Sequence, residues 1–226
     1  MSVVERISEI SHRVQREGFR WCVKRLTQAI SDRLLPPWSI LYWLPVADTP
    51  DLQVPGTSPI SNEHFRNIVS RLLKMVELRV IKDLHELKPH EYQALQDNVG
   101  ASAMPLYGQR LSQGAELHVL FAGQHVAGTL FFVFGGSHRF QHMVLTDRDA
   151  MALDGRIDPR FRGRGLYPVF LSLSISALHQ KGIERLFIET SEHNEEAKRS
   201  FVCLGFHFLL KYKMSRGQYR YDIKAL

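Results

Sequence analysis

Arg160-Phe161-Arg162-Gly163-Arg164-Gly165 reads R-x-x-G-x-G and stands where a strand-like run hands over to a helix-like one. Before it, Met151, Leu153 and Ile157 mark an alternating stretch from Ala150 to Pro159. After it, Val169, Phe170, Leu173, Ala177 and Leu178 recur through Leu166 to Lys181 at helical spacing. Glycines at such a junction let backbone N–H groups approach an anion closely, and the start of a helix adds its positive dipole end. Pro168 suits a helical first turn. The pattern predicts a pyrophosphate cradle. A basic surface turn is the plain alternative, because short glycine motifs recur by chance.

A second motif follows further along. Beyond a predicted strand at Arg185 to Thr190, the chain runs Asn194-Glu195-Glu196-Ala197-Lys198-Arg199-Ser200-Phe201-Val202-Cys203-Leu204-Gly205-Phe206, of the form N-x-x-A-x-x-x-[YF]-x-x-x-G-F. Ala197, Phe201 and Leu204 fall on one helical face, and Gly205 stands where a left-handed cap is wanted before the next strand. In this order and at this separation, the two motifs resemble the GNAT superfamily of N-acetyltransferases, and the resemblance runs from Val76 to Ile223. It implies an α/β (α+β) fold: a mixed, mostly antiparallel central sheet flanked by helices, with a splay between two parallel strands, here Met151 to Ile157 and Leu186 to Glu189. It also implies acetyl-CoA or another acyl-CoA as co-substrate, and direct acyl transfer to an amine on a small molecule or peptide.

On the same resemblance, the backbone amides from Phe161 through Arg162, Gly163 and Arg164 to Gly165 hold the pyrophosphate. Arg160, Arg162 and Arg164 add positive charge, and a backbone N–H near Ile157 polarises the thioester carbonyl. Asn194 contacts pantetheine or orients substrate, its plain role being a helix N-cap. Amine acylation needs a base for the ammonium proton. Glu189, five positions ahead of Asn194, is the first choice, with a carboxylate paired to a neighbouring arginine as the competing reading. Asp154 across the splay is the second choice and His193 the third. Many family members carry tyrosine where this chain has Phe201, and phenylalanine cannot donate a proton. Three readings follow: water protonates a leaving thiolate whose pKa is about 8.5, another hydroxyl such as Tyr212 or Tyr107 approaches, or the chain binds an acyl thioester without efficient transfer.

Composition bounds the rest. The 226 residues, 44% hydrophobic and 23% charged, suffice for one domain with an extension. Lys+Arg 29 against Asp+Glu 23 gives a net +6, which suits an acidic partner: a nucleotide-containing cofactor, an acidic acyl-carrier protein or an anionic membrane surface. Nucleic acid is not expected, since Arg216, Arg220 and Lys224 are interleaved only with Tyr219 and Tyr221. Two cysteines, Cys22 and Cys203, are too few for a disulfide framework or a metal site. Trp38 to Val46 is far short of the ~20 apolar residues of a membrane span, and charges break up any N-terminal apolar core. A cytoplasmic location is expected, with attachment at the membrane periphery as a variant.

Residues 1–75 read as a helical, proline-interrupted extension and 76–226 as the acyltransferase-like domain. Val3, Ile7, Ile10 and Val14 form one apolar stripe and Phe19, Val23, Leu26, Ile30 and Leu34 another, with arginines and lysines opposite. Such stripes dock on their own domain, on a second subunit in a homo-oligomer, on an acidic carrier protein or on an anionic membrane. Six prolines between Pro36 and Pro59 exclude a long helix there. Within that stretch Ile40 to Leu44 is expected as an edge strand, and Asn62 to Met75 as a helix. Gly123-Gln124 marks a tight hairpin. Ala101 to Gln113 is expected as a loop with a helical turn, and together with Ser137 to Asp149 it is where acceptor choice would lie. Two other functions share these residues: a carrier-protein-dependent acyltransferase, and a non-catalytic CoA-binding or interaction module.

Overall fold

The computed structural model describes residues 38–46, 71–135, 139–140, 143–215 and 218–221. The N-terminal stripes, the proline-rich stretch beyond Val46 and most of the helix expected at Asn62 to Met75 lie outside these residues. Ten strands are described: β1 Ser39–Pro45, β2 Glu77–Ile81, β3 Glu116–Ala122, β4 His125–Phe134, β5 Arg139–Phe140, β6 Met143–Val144, β7 Asp149–Ile157, β8 Arg185–Ser191, β9 His207–Ser215 and β10 Gln218–Tyr221. Four α-helices accompany them: α1 Pro89–Val99, α2 Met104–Ser112, α3 Leu166–Gln180 and α4 Glu195–Cys203. Eight strands form one sheet in the order β10-β9-β1-β8-β7-β4-β3-β2, and β5 pairs with β6. Every described pairing is antiparallel except β7 with β8.

Period-2 alternation sorts the strand side chains into two cores, one on each face of the sheet. Tyr42, Leu44, Leu120, Leu130, Phe132, Ala152, Leu186 and Ile188 turn toward Phe170, Leu171, Ile175 and Leu178 of α3 and Phe201 of α4. Leu41, Leu117, Val119, Phe131, Val133, Met151 and Phe187 turn the other way, toward Leu95 and Val99 of α1 and Met104, Tyr107 and Leu111 of α2. With helices on both faces, β3 and β4 are buried along nearly their whole length, which explains why they read as continuous apolar runs.

Two expectations are corrected. The strand expected at the sheet edge, Ile40 to Leu44, is interior: β1 lies between β8 and β9, with Leu41 opposite both Glu189 and Leu210. Its sequence SILYWLP supplies apolar side chains to both faces, as an interior strand requires. The stretch Ala101 to Gln113, expected as a loop with a helical turn, is a 3-10 turn followed by the full helix α2. Pro105 stands in the first turn, and Met104, Tyr107 and Leu111 recur on one buried face, a short amphipathic pattern that Gly108 and Ser102 obscured. The hairpin at Gly123-Gln124 joins β3 and β4 as expected, with Gly123 at φ 60°.

His118 of β3 is 1% exposed, its Nδ1 has no hydrogen-bond partner among the described residues, and its ring lies 4.5 Å from that of Phe132. Burial, and then the charge of Lys181, push its pKa down to about 3. The unfolded chain therefore binds a proton that the folded chain refuses between pH 6.5 and 3, so this contribution to stability is complete above pH 6.5 and lost as pH falls. Denaturant unfolding between pH 7 and pH 5 is expected to lose about 1.4 kcal/mol per pH unit below 6.5 from this residue. His118→Leu is expected to flatten that slope.

Candidate functional site

The parallel pair β7 and β8 is hydrogen-bonded over four register positions, from Asp149 opposite Arg185 to Ala152 opposite Ile188, and then parts. At the closed end, Asp149 is 1% exposed and accepts a bidentate pair from Arg185, Nε at 2.7 Å and Nη2 at 2.8 Å. Thr146 adds its backbone N–H at 2.7 Å and its hydroxyl at 2.8 Å. Against the upward pull of burial, these donors hold the Asp149 carboxyl below the usual range. At the open end, β7 carries a bulge against β4: Thr129 opposes Arg156 and Phe131 opposes Leu153, so β7 is one residue longer over this step. Asp154 within the bulge has φ 51°, the one described non-glycine residue in that region.

The glycine turn lies at the same end. Asp158, 2% exposed, follows β7 and caps the 3-10 turn Pro159–Phe161, accepting from Arg160 N at 2.8 Å. Arg160 returns its guanidinium to the same carboxylate through Nε and Nη2, both at 3.1 Å, and Asn98 of α1 donates to it at 3.0 Å. Burial alone would raise the Asp158 carboxyl, but Arg160 and Asn98 together lower it. Arg160, expected as free positive charge, is thus the partner of a buried carboxylate. Arg162 donates through Nε to the Ile157 carbonyl at 2.9 Å. Arg164 is exposed and makes no hydrogen bond or ion pair with a described residue.

The five amides expected in the cradle divide. Phe161 N–H bonds to Asp158 and Arg162 N–H to Pro159, which closes the turn. Those of Gly163, Arg164 and Gly165 meet no acceptor among the described residues. Gly163 and Gly165 have φ 74° and 71°, and a Cβ on either would meet nothing within 4 Å. The need for glycine is therefore conformational, with open space in front of the turn. Gly165 is also the N-cap of α3, so these amides share the helix's positive end.

Ile157, expected beside a thioester carbonyl, is a ladder partner of Gly128, and the backbone released by the bulge is that of Asp154 and Gly155. Glu189 follows the last position at which β8 pairs with β7, and its Oε2 accepts from Tyr212 of β9 at 2.5 Å. Its partner is therefore a tyrosine from two strands away, not an arginine. Asp154 is ion-paired with Arg110 of α2 and 56% exposed. Arg110 itself lies over the Phe131 ring, 5.2 Å from its centroid. Tyr107 Oη and Thr129 Oγ1, 3.5 Å apart, line the same face. His193 is exposed, 3.7 Å from Glu192. Asn194 caps α4, accepting from Ala197 N at 3.3 Å. Phe201 is 1% exposed among Tyr42, Tyr167 and Phe206. Sequence reading missed the Asn98–Asp158–Arg160 clamp and the Tyr212–Glu189 bond, because both join residues far apart in the chain. No group of residues able to hold a metal ion occurs among the described residues.

Asp158→Ala removes the acceptor for four donor contacts and is expected to cost about 2 kcal/mol in denaturant unfolding. Arg160→Ala leaves the buried Asp158 carboxylate with only its Asn98 and backbone donors and is expected to cost about 1–3 kcal/mol.

No protein-family model matches the chain, and no curated protein sequence matches it. Among solved structures it is similar to the region described as a GCN5-related glucosamine N-acetyltransferase in a fungal multi-domain GH3 β-N-acetylglucosaminidase, at 16% identity and TM-score 0.52 over 82% of this chain and 22% of that one. It is also similar to a GNAT-family acetyltransferase from Colwellia psychrerythraea, at 12% identity and TM-score 0.50 over 76% of this chain and 53% of that one. The chain thus spans only 22% and 53% of those two proteins. Likeness at such identities concerns the fold alone. The chain has the fold of the GNAT superfamily of N-acetyltransferases.

Proposed function

We propose that the chain is an acyl-CoA-dependent N-acyltransferase that moves an acyl group, acetyl in the simplest case, directly onto an amine. The observation that carries this reading is the coincidence, at one end of the sheet, of the gap between β7 and β8 with three uncommitted amides at the start of α3. Crevices outside the carboxyl ends of strands are where open α/β sheets take ligands, and a helix start with free N–H groups suits a diphosphate. A pantetheine arm running from Gly163-Arg164-Gly165 into the gap would bring its thioester beside the backbone freed at Asp154 and Gly155. An N–H there would serve as the carbonyl's hydrogen-bond donor. Arg164 is the arginine best suited to an added phosphate, since Arg160 is committed to Asp158.

The amine would approach from the α1/α2 face, lined by Tyr107, Arg110 and Thr129 and reached by Glu189. Glu189 as general base fits its position just past the end of the β7–β8 ladder, and Tyr212 would fix the carboxylate in one rotamer. Asp154 is the weaker candidate because its carboxylate is already paired with Arg110. A small-molecule or peptide amine remains the acceptor class, and an acyl-carrier protein is the alternative donor. A non-catalytic CoA-binding module is the second reading, favoured by the deeply buried Phe201.

Calorimetric titration with acetyl-CoA, a long-chain acyl-CoA and desulfo-CoA tests the reading. Micromolar binding of acetyl-CoA is expected, and Gly163→Glu should abolish it by setting a carboxylate against the diphosphate. Binding of none of them would sink the proposal. On an amine that the protein acylates, Glu189→Gln is expected to leave acyl-CoA affinity within about twofold and to lower kcat by roughly a hundredfold. Full activity across pH would remove Glu189 from the mechanism.

A further inference from the structure

Tyr167 is the second residue of α3, two positions after Gly165. Its hydroxyl reaches back under β7: a Cβ added at Gly155 would lie 3.1 Å from Tyr167 Oη and 3.4 Å from its Cε2. Gly155 belongs to the bulge, just where β7 has left β8. The phenol therefore stands at the wall of the gap, and the absence of a side chain at Gly155 lets it come that close. Its Oη makes no hydrogen bond to a described residue. The residue is half-buried and its hydroxyl is not sealed off, so it is open to a partner that enters the gap.

The position relative to Phe201 narrows what that partner is. Tyr167 and Phe201 have ring centroids 6.3 Å apart, and Tyr42 flanks Phe201 on the other side at 5.4 Å. Tyr42 packs within the core under β1. Tyr167 alone of the two touches the strand that diverges. We propose that Tyr167 donates the hydrogen bond that steadies the sulfur of the departing CoA, a role that Phe201 cannot fill. This assignment rests on the acyltransferase reading. In the step, the amine nitrogen forms a bond to the thioester carbon, the C–S bond breaks with its electron pair going to sulfur, and the amine proton passes to Glu189. Tyr167 keeps its own proton throughout. Burial pushes the Tyr167 phenol above its ordinary pKa, so it remains a donor over the whole working range and is a poor source of a transferred proton.

The test compares CoA with desulfo-CoA by calorimetry at an alkaline pH high enough to ionise the CoA thiol. The wild type is expected to prefer CoA by about tenfold, as for a hydrogen bond to a charged group. Tyr167→Phe should erase that preference without changing Tm or desulfo-CoA affinity, whereas Tyr42→Phe should retain it. On an amine that the wild type acylates, Tyr167→Phe should lower kcat with the acyl-CoA KM unchanged and the shape of the pH profile intact. A Tyr167→Phe protein that still prefers CoA tenfold overturns the assignment, as does a wild type that binds both ligands equally, and both outcomes leave the acyltransferase reading standing. A wild type that binds neither ligand overturns that reading and the assignment with it.

Discussion

The site depends on how β7 and β8 are fastened at one end and released at the other. A buried carboxylate gripped by a bidentate arginine is among the stronger polar contacts available to a protein, and Asp149 with Arg185 stands at the first register position of the pair. Pairing with β8 ends three positions on, and the extra residue of β7 follows at Asp154–Gly155, so the strands separate while each stays paired on its far side, β7 with β4 and β8 with β1. The gap is therefore a property of strong neighbours and not of a weak sheet. Asp154 at φ 51° carries the local strain, and its ion pair with Arg110 ties that strained backbone to α2.

β1 contributes more than core area. It runs antiparallel to β8, so its first residue, Ser39, opposes Ser191 at the open end of the gap. Trp38 donates its N–H to Glu192 at 3.2 Å and accepts from the Glu192 N–H at 2.9 Å. Lys211 of β9 closes onto Glu192 at 2.8 Å and, with Lys213, faces the Trp38 ring. By separating β8 from β9, β1 also sets the reach that Tyr212 needs to hold Glu189. The catalytic carboxylate proposed here is thus positioned by the N-terminal part of the described chain as well as by its C-terminal strands.

Much of this was readable from local chemistry. Gly163, Gly165 and Gly205 were expected at special backbone positions and have φ 74°, 71° and 84°. The buried face of α4 at Phe201, the hairpin at Gly123-Gln124 and the parting parallel pair follow from periodicity, turn chemistry and the family resemblance. What sequence did not disclose lies in long-range pairing. Nothing in Ser39–Pro45 distinguishes an interior strand from an edge strand, because apolar residues on both faces also describe a strand covered by a helix. Nothing near Arg160 announces that Asn98, far back in the chain, shares its carboxylate. The short helix α2 was hidden because Gly108 interrupts it and Ser102 precedes it, while its buried face needs only three residues.

Amide hydrogen exchange followed with and without CoA tests the central claim, that the amides of the glycine turn and the gap beside it form one binding site. The account predicts slowed exchange confined to Gly163, Arg164 and Gly165 and to the β7 and β8 backbone around Gly155 and Glu189. Slowed exchange elsewhere in the protein, with those amides unchanged, would contradict it.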